Sequence, residues 1–196
     1  MPLPLHVSFV GGESGAWRVD RVSEVVGDSL SVPKRVDIVE GPEPRLPRDS
    51  AWTLKGVVSN IRYATRDELK QLGSKQEGLG RPEATCAALI PIKKNEAWWA
   101  LSQDERTQIM LRGKHTAIGL DYLPAVARRL HHSRDIHGES FDFITWFEYA
   151  PEASEAFEEM VVKLRATEEW KYVDREVDIR LTKAADSGER RGCTVQ

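Results

Sequence analysis

Cysteine is scarce in this chain. The 196 residues include only two, Cys86 and Cys193, which lie far apart and form no CxxC pair. Disulfide frameworks and cysteine-based zinc sites both need several cysteines at close, repeated spacings. The sequence therefore argues against either kind of site.

Long apolar runs and an excess of one charge are also missing. No stretch approaches the ~20 apolar residues that a membrane-spanning helix needs. The first residues, MPLPLHVSFVGGESGAW, lack the basic and apolar regions of a signal peptide. A formal charge of −3 and a pI of about 6.0 give no general attraction to nucleic acid or anionic membranes. We therefore expect a cytoplasmic protein without nucleic-acid or membrane partners.

The patterns that are present indicate a mixed α and β protein. Apolar residues make up 40% of the chain, enough for a packed interior in one large domain or in two halves that share a core. Strand-like patterns occur at 5–10, 52–63, 84–92, 141–150 and 172–181. The region 13–49 is rich in Gly, Pro and Ser, and we expect it to supply edge strands and loops.

Helix signals fall between these strands. Capping boxes at TRDE (65–68) and SQDE (102–105) each predict a helix start, and Pro151 opens another helical pattern. The stretch 113–135 is predicted to be helical on both sides of a break. Helices inserted between the strands of one sheet predict an α+β, ferredoxin-like layer. Its uncovered face must pack on the earlier strands, on a partner subunit, or on both.

Three of the five histidines lie in GKHTAIGLDYLPAVARRLHHSRD, residues 113–135. His131 and His132 are expected at a solvated or locally bonded helix end. His115 has small, apolar neighbours and belongs to no HxxxH or HxxEH pattern, so a metal site with several protein ligands is not favoured. One histidine suffices for haem, because the porphyrin itself supplies four nitrogens. From the residues alone, His115 is either a core or surface residue or a haem ligand.

Arg128 follows His115 by thirteen positions. On one straight helix that spacing is a rise of ~20 Å. Both side chains can reach one ligand only if the chain bends or the ligand is wide. Gly119 and Pro124 offer places for a bend, and a flat porphyrin reached by two long side chains would narrow the gap.

Several segments together resemble the chlorite dismutase family, and in particular its short, dimeric branch with a reduced N-terminal half. The resemblance covers roughly residues 50–182. The segments that carry it are SNIRY, GLGRPEAT, ALIPIKKNEAWWAL, ERTQIM, KHTAIGLDYLPAVARRLHHSRD, FDFITWFEYAPE and EWKYVDREVDIRL.

The resemblance implies a ferredoxin-like dimeric α+β barrel of two related halves. These would be a reduced N-terminal half (1–83) and a C-terminal haem-binding half (84–182), followed by a disordered tail (183–196). It also implies one haem b (iron protoporphyrin IX) per subunit and a homodimer. The implied reaction converts chlorite to chloride and dioxygen through a ferryl intermediate and transient hypochlorite.

The resemblance further assigns roles around the iron. His115 corresponds to the iron ligand, and its Nδ1–H is expected to donate to Glu148, which Lys93 keeps ionised. Arg128 corresponds to the arginine over the open iron face, where it would hold the hypochlorite-level fragment. Gln76 would hold Arg128 by a hydrogen bond.

The remaining assignments concern the haem itself. Trp98 occupies a haem-contact position, and Asn60 and Tyr63 are expected to contact the propionates. The alternatives are a coprohaem decarboxylase on the same scaffold, a non-enzymatic haem-binding protein, and a barrel without haem. The decarboxylases have a different residue where Arg128 stands, so this arginine favours chlorite.

Overall fold

In this computed structural model, which describes residues 4–42, 44, 47, 50–58 and 63–184, the chain forms eight strands and five α-helices. The strands are β1 Leu5–Gly12, β2 Trp17–Val26, β3 Arg35–Glu40, β4 Trp52–Val58, β5 Cys86–Lys94, β6 Val126–His132, β7 Phe143–Tyr149 and β8 Val173–Lys183. The helices are α1 Arg66–Lys75, α2 Glu96–Ala100, α3 Gln103–Arg112, α4 His115–Asp121 and α5 Ser154–Arg165, with 3-10 helices at Pro151–Ala153 and Glu168–Tyr172. No helix in this part of the chain is both long and apolar enough to cross a membrane.

The predicted helix starts at the two capping boxes are confirmed. The Thr65 side chain accepts a hydrogen bond from the Glu68 amide, and the Glu68 carboxylate accepts one from the Thr65 amide. Ser102 and Glu105 make the same pair of bonds at the start of α3. These bonds satisfy amide groups that have no partner inside the helix, which is why local sequence is enough to predict them.

The strands form one closed barrel in the order β1-β3-β2-β8-β5-β7-β6-β4, with antiparallel pairs throughout. The strands of each half, numbered from its own first strand, follow the order 4-1-3-2: β4-β1-β3-β2 and β8-β5-β7-β6. In the second half the elements run strand, helices, strand, strand, helix, strand, which is the ferredoxin-like arrangement. The expected α+β class is confirmed.

Strand β8 is covered on both faces. Val177, Ile179 and Leu181 are buried in the core of the barrel, as their alternation predicts. The charged residues between them, Asp178 and Arg180, are buried too, because α5 lies over them: Arg165 of α5 is paired with Asp178 at 2.8 Å. The alternation of apolar and charged residues in β8 therefore distinguishes an apolar face from a face of buried ion pairs, and not a buried face from a solvent-exposed one.

Residues 126–132 correct the predicted helix. They form β6, which pairs along its length with β7, and Arg128 lies opposite Phe147. The expected solvated helix end is therefore wrong, since His131 is 1% and His132 8% exposed. The Nδ1 atom of His131 lies 3.0 Å from the Ile144 carbonyl oxygen, and burial lowers the pKa of this imidazole to about 4. A run without apolar alternation gave no local sign of a strand, and sheet pairing decided its conformation.

Two further boundaries differ from the sequence prediction. Region 13–49 contains the ten-residue strand β2, which pairs with β8 inside the closed barrel and is not an edge. At the other end, Lys183 is the last residue of β8, so the tail does not begin there. Residues 185–196 of the predicted disordered tail lie outside the described residues.

Candidate functional site

A cavity of about 270 Å³ with a mostly apolar lining lies between the outer face of the barrel and the helices. Cavities of this kind with a few convergent polar groups are the usual form of small-molecule sites. Predicted site residues that line it are His115, Arg128, Gln76, Trp98 and Tyr63. The structure thus brings five side chains from separate elements to one cavity.

His115 is the first residue of α4 and faces this cavity. The residue before it, Lys114, has a left-handed backbone (φ 54°), which separates α4 from α3 and starts a new helix at the histidine. Strained backbone of this kind in a non-glycine residue is often found at functional sites. The Trp170 ring lies nearly parallel to the imidazole, with 6.4 Å between the ring centroids.

A buried carboxylate lies behind His115. The Nδ1 atom is 2.7 Å from Oε2 of Glu169, and Lys94 Nζ donates to Oε1 of the same carboxylate at 2.7 Å. Burial alone raises the pKa of Glu169, but the charges of His115 and Lys94 outweigh it and lower that pKa to about 2. Glu169 is therefore ionised, and an Nδ1–H directed at it leaves Nε2 as the nitrogen that can bind a metal.

The contact between His115 and Glu169 is close but not well aligned. Nδ1 and Oε2 are both buried without a hydrogen bond of good geometry, although they are 2.7 Å apart. The distance suits a hydrogen bond, but the imidazole is oriented so that its Nδ1–H does not point at Oε2.

The predicted pairing of His115 with Glu148 and Lys93 is wrong. Glu148 accepts hydrogen bonds from the Gly80 amide at 2.5 Å and from Trp146 Nε1 at 2.8 Å, away from the cavity. Lys93 is half-exposed, lies 3.6 Å from Asp174, and lines a separate, open, highly charged recess.

The pattern of β5 contained the signal for the correct lysine. Successive side chains of a strand point to opposite faces, so a shift of one residue reverses the face. Ile90, Ile92 and Lys94 lie at alternate positions, and all three line the cavity. Glu169 follows no such rule, since it lies in the 3-10 helix after α5 and only packing of the chain places it behind His115.

Arg128 reaches the helix that carries His115. Its guanidinium packs on the backbone of Gly119, where an added Cβ would lie 3.2 Å from Nη1. Among the residues that the structure describes, no carboxylate pairs with this guanidinium, and burial lowers its pKa. Arginine nevertheless stays protonated at any pH the protein experiences. By contrast, Arg129 is paired with Glu40 at 2.8 Å.

Gln76 contacts the strand of Arg128 at a different atom from the one expected. Its Nε2 donates to the main-chain oxygen of Arg128 at 2.8 Å. The two residues are therefore brought together, but the bond fixes the backbone of β6 and not the guanidinium.

Aromatic residues close the other side of the cavity. Trp98 is fully buried, and its ring meets Tyr63 edge-on at 5.8 Å between centroids. Lys94 Nζ lies 4.9 Å from the Trp98 ring and 5.3 Å from the Trp170 ring. These rings shield the ion pair of Lys94 with Glu169 from water. Asn60, the other expected propionate contact, lies outside the described residues.

Comparisons with known proteins identify the family of this chain. The chlorite dismutase family model matches residues 48–184. A chlorite dismutase from Ideonella dechloratans is 31% identical over 126 residues, which are 63% of this chain and 42% of that protein. The matched region thus spans less than half the length of this relative.

Solved structures give a closer match. A dimeric chlorite dismutase from Nitrobacter winogradskyi has 54% identity and a TM-score of 0.84 over 91% of this chain and 99% of that one. The fold is shared with a chlorite dismutase from Candidatus Nitrospira defluvii solved in complex with imidazole, at 22% identity, a TM-score of 0.68, and coverage of 92% and 91%. With the family model matching most of its length, this chain belongs to the chlorite dismutase family.

Proposed function

We propose that this chain is a haem b-dependent chlorite dismutase, a chlorite O2-lyase of the oxidoreductase class that converts chlorite to chloride and dioxygen. The observation that carries the proposal is a single cavity lined by His115 from α4 and Arg128 from β6. Membership of the chlorite dismutase family and the relative with 54% identity support it.

The residues present fit a haem. A five-coordinate haem requires one protein nitrogen for its iron and an apolar slot for its ring. His115 offers Nε2, because Nδ1 faces the ionised Glu169. His115 Nδ1 and Glu169 Oε2 are both buried without an aligned hydrogen-bond partner. A haem iron bound to Nε2 would fix the plane of the imidazole and could align Nδ1–H with Oε2. When bound, the haem supplies the redox-active iron at which chlorite reacts.

On the histidine side, the protein controls the basicity of the ligand. When the imidazole is aligned with it, Glu169 accepts a hydrogen bond from Nδ1–H and gives the ring partial imidazolate character, which strengthens the donation of Nε2 to a metal. Lys94 holds Glu169 in its ionised form, since it donates to Oε1 from a site that is itself almost fully buried. The pair thereby keeps the proton of Nδ1 in one place.

On the opposite side, Arg128 binds the anion. A guanidinium presents several N–H donors in a plane and keeps its charge, which suits a small oxyanion. Chlorite yields one chloride and one dioxygen, so both oxygens must leave in the same molecule. Arg128, with no carboxylate partner among the described residues, would hold the chlorine-containing anion in the cavity, so that it is not lost to solvent before both oxygens have left it. Arg128 at this position also favours the conversion of chlorite over the decarboxylation of coprohaem as the reaction of this protein.

The assembly and the internal division belong to the same proposal. The dimeric relative supports a homodimer. The repeated 4-1-3-2 strand order supports two related halves, 1–83 and 84–182, with haem bound by the second. The cytoplasmic location stays a prediction of the sequence.

The test adds haemin to purified protein, records the absorption spectrum, and then supplies chlorite at an oxygen electrode. We expect one haem per chain and one dioxygen per chlorite consumed. His115→Ala is expected to lose tight haem binding. Haem uptake without dioxygen release contradicts the proposed activity, and a normal five-coordinate spectrum in His115→Ala contradicts ligation by this histidine.

A further inference from the structure

Glu148 is buried, carries a carboxylate, and has no place in the mechanism above. It is 5% exposed, and its two oxygens accept hydrogen bonds from Trp146 Nε1 and from the Gly80 amide. No lysine or arginine within the described residues is paired with it. Burying a charge that only neutral donors satisfy is costly, so the bonds it makes are expected to serve a purpose.

One of those bonds anchors the segment Gln76–Arg81, which we call the clamp loop. The loop follows α1 and is hydrogen-bonded to β6, the strand of Arg128. Its Leu79 packs on the apolar core of the barrel, and the Gly80 amide donates to Glu148 at 2.5 Å. Gly80 has a left-handed backbone (φ 82°) that glycine adopts without strain.

The two ends of the clamp loop bind the backbone at Arg128 itself and at Ala125, three residues before it. Gln76 Nε2 donates to the Arg128 carbonyl oxygen at 2.8 Å. Arg81 Nη2 donates to the Ala125 carbonyl oxygen at 3.0 Å. Glu148 itself lies on β7 directly opposite Ala127, the residue before Arg128.

We infer that Glu148 is a positioning residue for Arg128, acting through the clamp loop. The carboxylate holds the middle of the loop from inside the barrel, and Gln76 and Arg81 then hold the main chain from which the guanidinium extends. Hydrogen bonds to an ionised acceptor are about twice as strong as neutral ones, which suits an anchor. The inference concerns the position of Arg128 and rests on the proposed function only for its consequence in catalysis.

The first experiment uses the haem-free protein. Glu148→Gln keeps the shape of the side chain but leaves one uncharged carbonyl oxygen and an NH2 group, so the Gly80 amide faces either a weaker, uncharged acceptor or no acceptor at all. Hydrogen exchange of the clamp-loop amides should become about tenfold faster or more, the effect of losing a hydrogen bond to a charged group. The Nε–H signal of Arg128 in the proton–nitrogen NMR spectrum, assigned by its loss in Arg128→Lys, should shift or broaden.

Matched variants separate anchoring from general damage. Glu24→Gln, at an exposed position on β2, should leave both readouts unchanged. Arg81→Met releases the loop from Ala125 without altering the barrel interior, and it should shift the same Arg128 signal even if Glu148→Gln fails to fold. Unchanged loop exchange in Glu148→Gln, or an Arg128 signal that neither variant moves, overturns the inference.

The second experiment tests the link to the anion site with haem-loaded protein and fluoride. Glu148→Gln should raise the fluoride dissociation constant several-fold in the wild-type background and leave it unchanged in the Arg128→Ala background. Equal effects in both backgrounds would show independent action and overturn the inference. Neither experiment needs dioxygen release, so failure of the chlorite activity and failure of this inference are told apart.

Discussion

The guanidinium of Arg128 rests on the backbone of Gly119, one turn after His115 on α4. A Cβ on Gly119 would lie 3.2 Å from Nη1 and 3.3 Å from Cζ. The side chain of Arg128 on β6 therefore meets α4, the helix of His115, at Gly119, where the lack of a side chain leaves room for the guanidinium. This contact explains how two residues far apart in the chain face the same cavity.

Gly119→Ala is expected to displace Arg128. The added methyl group is closer than ordinary van der Waals contact, and the flexible arginine will move before the helix does. We expect kcat/KM for chlorite to fall by about tenfold, a loss of roughly 1.4 kcal/mol of transition-state stabilisation, with haem binding retained. Gly73→Ala is the control, because Gly73 is an exposed glycine of α1 with nothing within 4 Å of an added Cβ. Equal activity in the two variants would contradict the contact.

Arg128→Ala is expected to keep haem but to release much less dioxygen or to inactivate sooner. Removal of one group that stabilises a developing anion typically costs about 100-fold or more in rate. Arg129→Ala is the matched variant, since that arginine is engaged with Glu40, and partly exposed pairs contribute little. Initial rates and total dioxygen yield at an oxygen electrode compare them. A larger loss in Arg129→Ala would reverse the assignment of the two arginines.

Lys94→Met and Lys93→Met distinguish the two lysines of the sequence pair. Lys94 is 2% exposed and paired with Glu169, so its loss leaves a buried carboxylate that only His115 opposes. We expect the free energy of unfolding to fall by about 3 kcal/mol. Lys93 is 49% exposed, and its substitution should change stability by about 0.5 kcal/mol or less. Urea unfolding of the haem-free variants measures both, and equal losses would refute the corrected pairing.

His131 is expected to make stability depend on pH. Burial lowers the pKa of its imidazole from 6.5 to about 4, so between these values the unfolded chain binds a proton that the folded chain does not. The contribution is complete above pH 6.5 and is lost as the pH falls toward 4, by an amount of about 3 kcal/mol. Urea titrations between pH 7 and 4 measure it.

The control for this pH dependence is another histidine. His131→Gln should flatten the profile, whereas His137→Gln, at an exposed loop position, should not. If the free energy of unfolding of His131→Gln still falls between pH 7 and 4 as in the unmodified protein, the pH dependence belongs to other groups.

Local interactions account for what was predicted correctly about the fold. The capping residues Thr65 and Ser102 bond within their own helix turn, so neighbours in sequence suffice to start α1 and α3. Strands β5, β7 and β8 are apolar runs or clear alternations. Strand β6 has neither signal, because its arginines and histidines face a cavity and the barrel interior, and pairing with neighbouring strands, mainly β7, made it a strand.

The sequence by itself determined the α+β class, the family resemblance, and the choice of His115 and Arg128. Only the tertiary structure decided that Glu169, and not Glu148, lies behind the histidine, whereas the alternation of β5 already distinguished Lys94 from Lys93. Glu169 is distant from His115 in the sequence, so only packing of the two segments shows that they are partners. The two lysines are adjacent in one strand, and adjacent strand residues point to opposite faces. The same packing placed Glu148 inside the barrel, where it holds the loop of Gln76.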